Sequence, residues 1–119
     1  MVTLQDIDDK AIERLRKLGG DTFVVELIDT FLMHVSQKME EALTGEREGN
    51  LEAVERAVHS IKSSAGNLGA QQLQDLSAQI EQLAEDRQSK PIPPLMRELE
   101  AAFTRVQPLL EEYKKGAGE

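Results

Sequence analysis

Apolar residues recur along this chain at steps of three and four, the spacing that gathers side chains on one face of an α-helix. Leu4, Ile7, Ala11, Leu15 and Leu18 make a short first stripe, with Asp6, Asp8 and Asp9 suited to its opening turn. Gly19-Gly20 should end that helix, and Asp21 or Thr22 can cap the next. Phe23, Leu27, Phe31, Val35, Met39 and Ala42 then share one side, widened by Val24, Ile28, Leu32 and Leu43, which predicts a long helix to about Arg47. Glu48-Gly49-Asn50 reads as a turn. Asn50 is the N-cap signal of a third helix, whose stripe is Leu51, Val54, Val58, Ile61, Ala65 and Leu68. After Gly69, the residues Leu73, Leu76, Ile80 and Leu83 make a fourth stretch that ends in Asp86-Arg87-Gln88-Ser89-Lys90. Pro91-Ile92-Pro93-Pro94 opens the last helix, because proline is tolerated in a first helical turn. Its face carries Leu95, Leu99, Ala102, Phe103, Val106, Leu109 and Leu110. Pro108 has no N–H for the Thr104 carbonyl, so a kink or break is expected there, and residues from Lys114 onward should fray.

No segment shows strand alternation, no repeat period emerges, and no linker is long enough to split the chain. Long amphipathic helices joined by short turns bury their stripes by running antiparallel around one core. The expected fold is all-α: an antiparallel up-and-down four-helix bundle with a short additional N-terminal helix over one end. It should form a single domain over residues 1–119, with a core at about 4–113.

Composition narrows the function. At 119 residues the chain can bury ~65% of the surface it exposes when unfolded. Aromatics are confined to Phe23, Phe31, Phe103 and Tyr113, so Leu, Ile, Val, Ala and Met must fill the core. The absence of cysteine excludes disulfides and thiolate metal sites and suits a reducing cytoplasm. No apolar run approaches the ~20 residues of a membrane span, and no signal-peptide pattern opens the chain. The net charge of −8 argues against nucleic acid or an anionic membrane as partner. A monomer without cofactor or metal is expected: the two histidines have no carboxylate cluster at ligand spacing.

The most informative stretch is Ala57–Ala70, AVHSIKSSAGNLGA. His59 falls roughly 110–120° from the centre of its helix's apolar stripe, on the flank or open side. The positions after it, Ser60, Ser63, Ser64, Ala65 and Gly66, leave the surface beyond the ring almost without bulk. Glycine costs ~1 kcal/mol relative to alanine inside a helix, so a purely structural helix gains little from Gly66. Room for another molecule's backbone would explain it. Lys62, one turn on, sets an ammonium beside a nucleophilic imidazole, which favours an arriving anion. His34 has no such neighbourhood and reads as structural or exposed.

HSIKSSAGNLGA closely resembles the signature of histidine-containing phosphotransfer (HPt) domains. The matching positions are His59, Ile61, Lys62, Ser63 and the pair Leu68–Gly69, and Leu15–Leu32 is similar to the family's first long-helix segment. The resemblance spans about Leu4 to Leu110. Ser63 stands where glycine is commonest and Val58 where alanine is usual; serine is nearly as small as glycine. The resemblance implies that His59 takes a phosphoryl group from the phospho-aspartate of a receiver domain and hands it to another, with Lys62 stabilising the phosphoryl group. Ser63, Ser64 and Gly66 would admit the receiver's loops, and Ile12 would add apolar docking surface. A glutamate or glutamine in some HPt-like domains accepts a hydrogen bond from the histidine's Nδ1. Glu81, brought alongside by the Gly69 turn, has that reading and an ordinary solvated one at equal weight.

No Walker-type loop, glycine-rich nucleotide lid or acidic Mg²⁺ cluster is present, so ATP binding and autokinase activity are not expected. Phosphoryl transfer chiefly needs positioning and charge neutralisation, which the receiver, or a hybrid sensor kinase, would supply with its aspartate and Mg²⁺. The competing reading is a helical adaptor with an incidental histidine. A dimerising histidine-kinase core would need an ATP-binding domain whose motifs the chain lacks.

Overall fold

The computed structural model describes residues 7–118, with side chains to residue 116; Leu4 and Asp6 of the first expected helix, and Glu119 of the tail, lie outside them. Four helices follow in order: α1 (Asp9–Glu48), α2 (Leu51–Leu68), α3 (Gln71–Glu85) and α4 (Ile92–Gly118). Each packs on two neighbours, α1 on α2, α2 on α3, α3 on α4 and α4 back on α1. That is a square helical bundle, as the apolar periodicity predicts.

The first two expected helices meet end to end within α1, separated at Gly20 as the Gly19-Gly20 pair predicts. Gly20 has φ 83° and ψ −177°, a conformation open to glycine alone, and helix resumes at once on its far side. A straight helix of this length would reach about 60 Å, whereas the molecule's longest dimension is 45 Å. The break is what keeps the N-terminal segment on the bundle. Asp21 does not cap: its carboxylate takes the Arg16 Nε at 2.8 Å across the break. Leu18, just before the break, has no core to face and is exposed, against the expectation of an apolar stripe there. The segment's other end is pinned on the α2–α3 turn, where the Asp8 N–H donates to the Gly69 carbonyl at 2.7 Å.

Ile28, Val35, Val54, Ile61, Leu73, Ile80, Met96 and Leu99 are wholly buried and fill the centre, each adding on the order of 1.5–3 kcal/mol. Among the described residues Ser77 is the buried polar exception, and its Oγ has no hydrogen-bond partner there. The break expected at Pro108 does not occur. Helix continues through Pro108, because the buried Val106 and Leu110 on either side hold the chain while the freed Thr104 carbonyl lies on an exposed residue. The tail stays helical to Gly118, with Lys114 Nζ 2.5 Å from Asp29 Oδ1 and the Tyr113 hydroxyl donating to Asp9. Both contacts tie the end of α4 to α1.

Candidate functional site

α2 is capped at both ends, which sets the register of its outer face. Asn50 accepts the Ala53 N–H at 3.1 Å at the start. At the end Gly69 takes a left-handed φ of 79°, and the Ala70 N–H returns to the Ala65 carbonyl at 2.8 Å. A side chain at Gly69 would strike Ala11 and Asp8, so the glycine serves the seating of α1 as well as the turn.

The Gly69 turn sends α3 back along α2 and brings Glu81 against His59. The His59 side chain is 59% exposed, and its Nδ1 lies 2.6 Å from Glu81 Oε2. The other carboxylate oxygen, Oε1, accepts from Lys62 Nζ at 2.6 Å. Glu81 is only 14% exposed and Lys62 32%. Burial pushes the Glu81 carboxyl up, but the hydrogen bonds from Lys62 and His59, reinforced by the lysine charge, outweigh it and hold the group below the usual carboxylate range. An ionised carboxylate can only accept. The proton of a neutral His59 ring therefore sits on Nδ1, and the Nε2 lone pair is left free. Among the described residues nothing else bonds the ring.

Of the two readings of Glu81, the contact with His59 is the one present. Lys62, expected to stand beside the imidazole, pairs with that same carboxylate. Sequence reasoning missed the gathering of Glu55, Glu81 and Glu85, whose carboxylate oxygens lie within 4.8 Å of one another. Helical spacing joins Glu81 to Glu85 on paper, but only the packing of α2 on α3 adds Glu55. Both oxygens of Glu81 are already engaged, so the cluster reads as negative potential beside His59, not as a ligand set.

The expected docking residues separate. Ser63 is exposed beside His59, and Ser64 is half-buried and lines a groove of about 490 Å³ between α1 and α2. Phe23, Leu27, Phe31, His34, Asn67 and Leu68 share that groove. Gly66 is exposed, yet a Cβ there would lie 2.8 Å from the Gln74 amide nitrogen, so the space is partly taken by α3. Ile12 is the clear correction. It is 0% exposed, because the Gly20 break and the Asp8–Gly69 bond turn its face of the N-terminal segment onto the core, and it offers no docking surface.

A helical bundle holding one oriented imidazole at its surface has the makings of a group carrier. The comparisons name the class. The family model for the Hpt domain matches residues 26–108, and the chain belongs to that family. It acts in histidine phosphotransfer within phosphorelays, as a carrier without autokinase activity. Its backbone is similar to the crystal structure of histidine-containing phosphotransfer protein B (HptB) from Pseudomonas aeruginosa PAO1, with a TM-score of 0.89 and 23% identity over 95% of this chain and 97% of that one. A comparison with curated proteins found no match. No helix among the described residues is long and apolar enough to cross a membrane.

Proposed function

We propose that His59 is the phosphoacceptor and that its partners are receiver domains, directly or as part of a hybrid sensor kinase. The observation that carries this reading is the Glu81 contact at 2.6 Å, which leaves Nε2 of an exposed ring as the nucleophile. In the uptake step the Nε2 lone pair attacks phosphorus, the acyl-phosphate P–O bond breaks, and the receiver's aspartate leaves as carboxylate. The ring becomes a phosphoimidazolium whose Nδ1 proton remains hydrogen-bonded to Glu81, the usual service of an orienting carboxylate. Onward transfer is the same step in reverse with a second aspartate. Lys62 stands one turn from His59 and can swing from Glu81 towards the phosphoryl oxygens, where neutralising charge matters most. Ser63, exposed beside His59, keeps the surface there low enough for a receiver's loops. The receiver contributes Mg²⁺ and the aspartate; this chain binds no ATP and works as a cytoplasmic monomer.

The deciding experiment incubates the purified chain with a receiver domain carrying labelled aspartyl phosphate. Acid-labile, base-stable label should pass to wild type and not to His59→Gln. Equal labelling of both proteins would end the assignment, and labelling by ATP alone would point to a kinase core.

A further inference from the structure

Gly66 was expected to clear space for a partner, but in the folded chain its open side is covered by a side chain of α3. A Cβ at Gly66 would meet Gln74 Nε2 at 2.8 Å, Cδ at 3.3 Å and Oε1 at 3.7 Å. The carboxamide thus lies over a patch of backbone that only glycine leaves bare, its nitrogen end nearest. Among the described glycines, Gly66 is the one whose missing side chain is replaced by the polar end of a neighbour.

The bundle makes no use of that amide. Gln74 is exposed, and neither its Nε2 nor its Oε1 has a hydrogen-bond partner among the described residues. Gln82, on the same helix, spends its amide on Asp86 at 3.2 Å. Gly66 is seven residues after His59, two helical turns along the same ridge and about 10 Å away. A partner footprint of ordinary size, about 800 Å² per side, covers both points.

We propose that Gln74 is a docking residue for the phosphoryl donor, and that Gly66 serves the partner by letting the Gln74 amide lie down rather than by leaving empty room. A carboxamide offers one acceptor and two donors in the plane of a peptide unit. Unpartnered and lying over Gly66, it can exchange a pair of hydrogen bonds with a main-chain N–H and C=O of the receiver loop that comes over His59. This inference rests on the receiver-docking reading above and adds to it a residue outside the histidine motif.

The test is a double-mutant cycle on the full chain, reading transfer rate against concentration of the receiver domain that donates fastest to wild type. Gln74→Ala should raise the half-saturating receiver concentration about tenfold, as two neutral hydrogen bonds would, and leave the saturating rate within about twofold. Gly66→Ala should do the same in the wild-type background and add nothing to Gln74→Ala. Helicity and thermal midpoint, read in parallel, should stay near wild type. If Gly66→Ala weakens docking equally with Gln74 absent, the glycine faces the partner itself and the proposal falls. It falls equally if Gln74→Ala leaves half-saturation unchanged while wild type is labelled. A wild type that takes no label from any receiver would sink the phosphoacceptor reading first, and this one with it.

Discussion

The two histidines of this protein sit on adjacent helices and have opposite surroundings. His59, on α2, is 59% exposed and shares the Glu81 carboxylate with Lys62. His34, on α1, is half-buried in an apolar groove beside Phe23, Leu27, Phe31 and Leu68, and no carboxylate bonds it among the described residues. The imidazoles are chemically identical. What differs is the neighbouring helix: α3 presents a buried carboxylate to one ring, while the other faces hydrocarbon. The orientation of the His59 ring therefore belongs to a pair of helices, since no feature of α2 alone would fix its tautomer.

Exchanging the histidines for glutamine is the harshest test of that contrast. His59→Gln should lose receiver-dependent labelling by at least about a thousandfold, because no nucleophile remains. His34→Gln should stay within about threefold of wild type; labelling lost there and kept in His59→Gln would invert the comparison. Next in size is the landing surface. Ser63→Leu, on the exposed face beside His59, should cut transfer roughly a hundredfold while circular dichroism shows an intact bundle, and wild-type receiver binding by this variant would refute the low-surface argument.

Glu81→Ala should slow transfer roughly ten- to hundredfold by freeing the ring, with nitrogen NMR showing His59 relax from the Nδ1–H form to a mixture. Unchanged ring signals would mean the contact does not set the tautomer. Lys62→Ala should slow transfer about three- to tenfold and change stability by less than about 1 kcal/mol, since the side chain is partly exposed. The smallest effect is a pH dependence. The Glu81 carboxyl is held below its ordinary 4.5, so its contribution to stability is complete above that value and is lost as pH falls through the lowered folded-state value. Unfolding measured between pH 5 and 3 should show the gap between wild type and Glu81→Gln closing. A gap that widens on acidification would contradict the ion pairing.

Much of the site was legible on one helix. The flank position of His59, the one-turn spacing of Lys62 and the small residues beyond them all follow from helical geometry applied to a single segment. Glu81 was half legible: its helix and its side could be read, but its reach to His59 depends on how the Gly69 turn sets α3 along α2. Ile12 and Leu18 failed for one shared reason. Both lie on the segment before Gly20; the Gly19-Gly20 pair announces a break there, but the direction the chain takes across it and the Asp8–Gly69 bond are long-range outcomes that periodicity does not encode. Gln74 carried no signal, since a glutamine on an exposed helix face is unremarkable until a neighbouring glycine gives it a surface to lie on.

The amino-acid order by itself determined the helices after residue 20, their caps at Asn50 and Gly69, the apolar stripes that close the core and the outward position of His59. These are local matters, set by residues within a turn or two of one another. Packing alone decided that Glu81 serves both His59 and Lys62, that Ile12 is core, that α4 survives Pro108 and that Gln74 covers Gly66. Each of those depends on the axial register and rotation of one helix against the next. That register is the joint outcome of turn conformation and side-chain fit over the whole bundle, and no stretch of sequence states it alone.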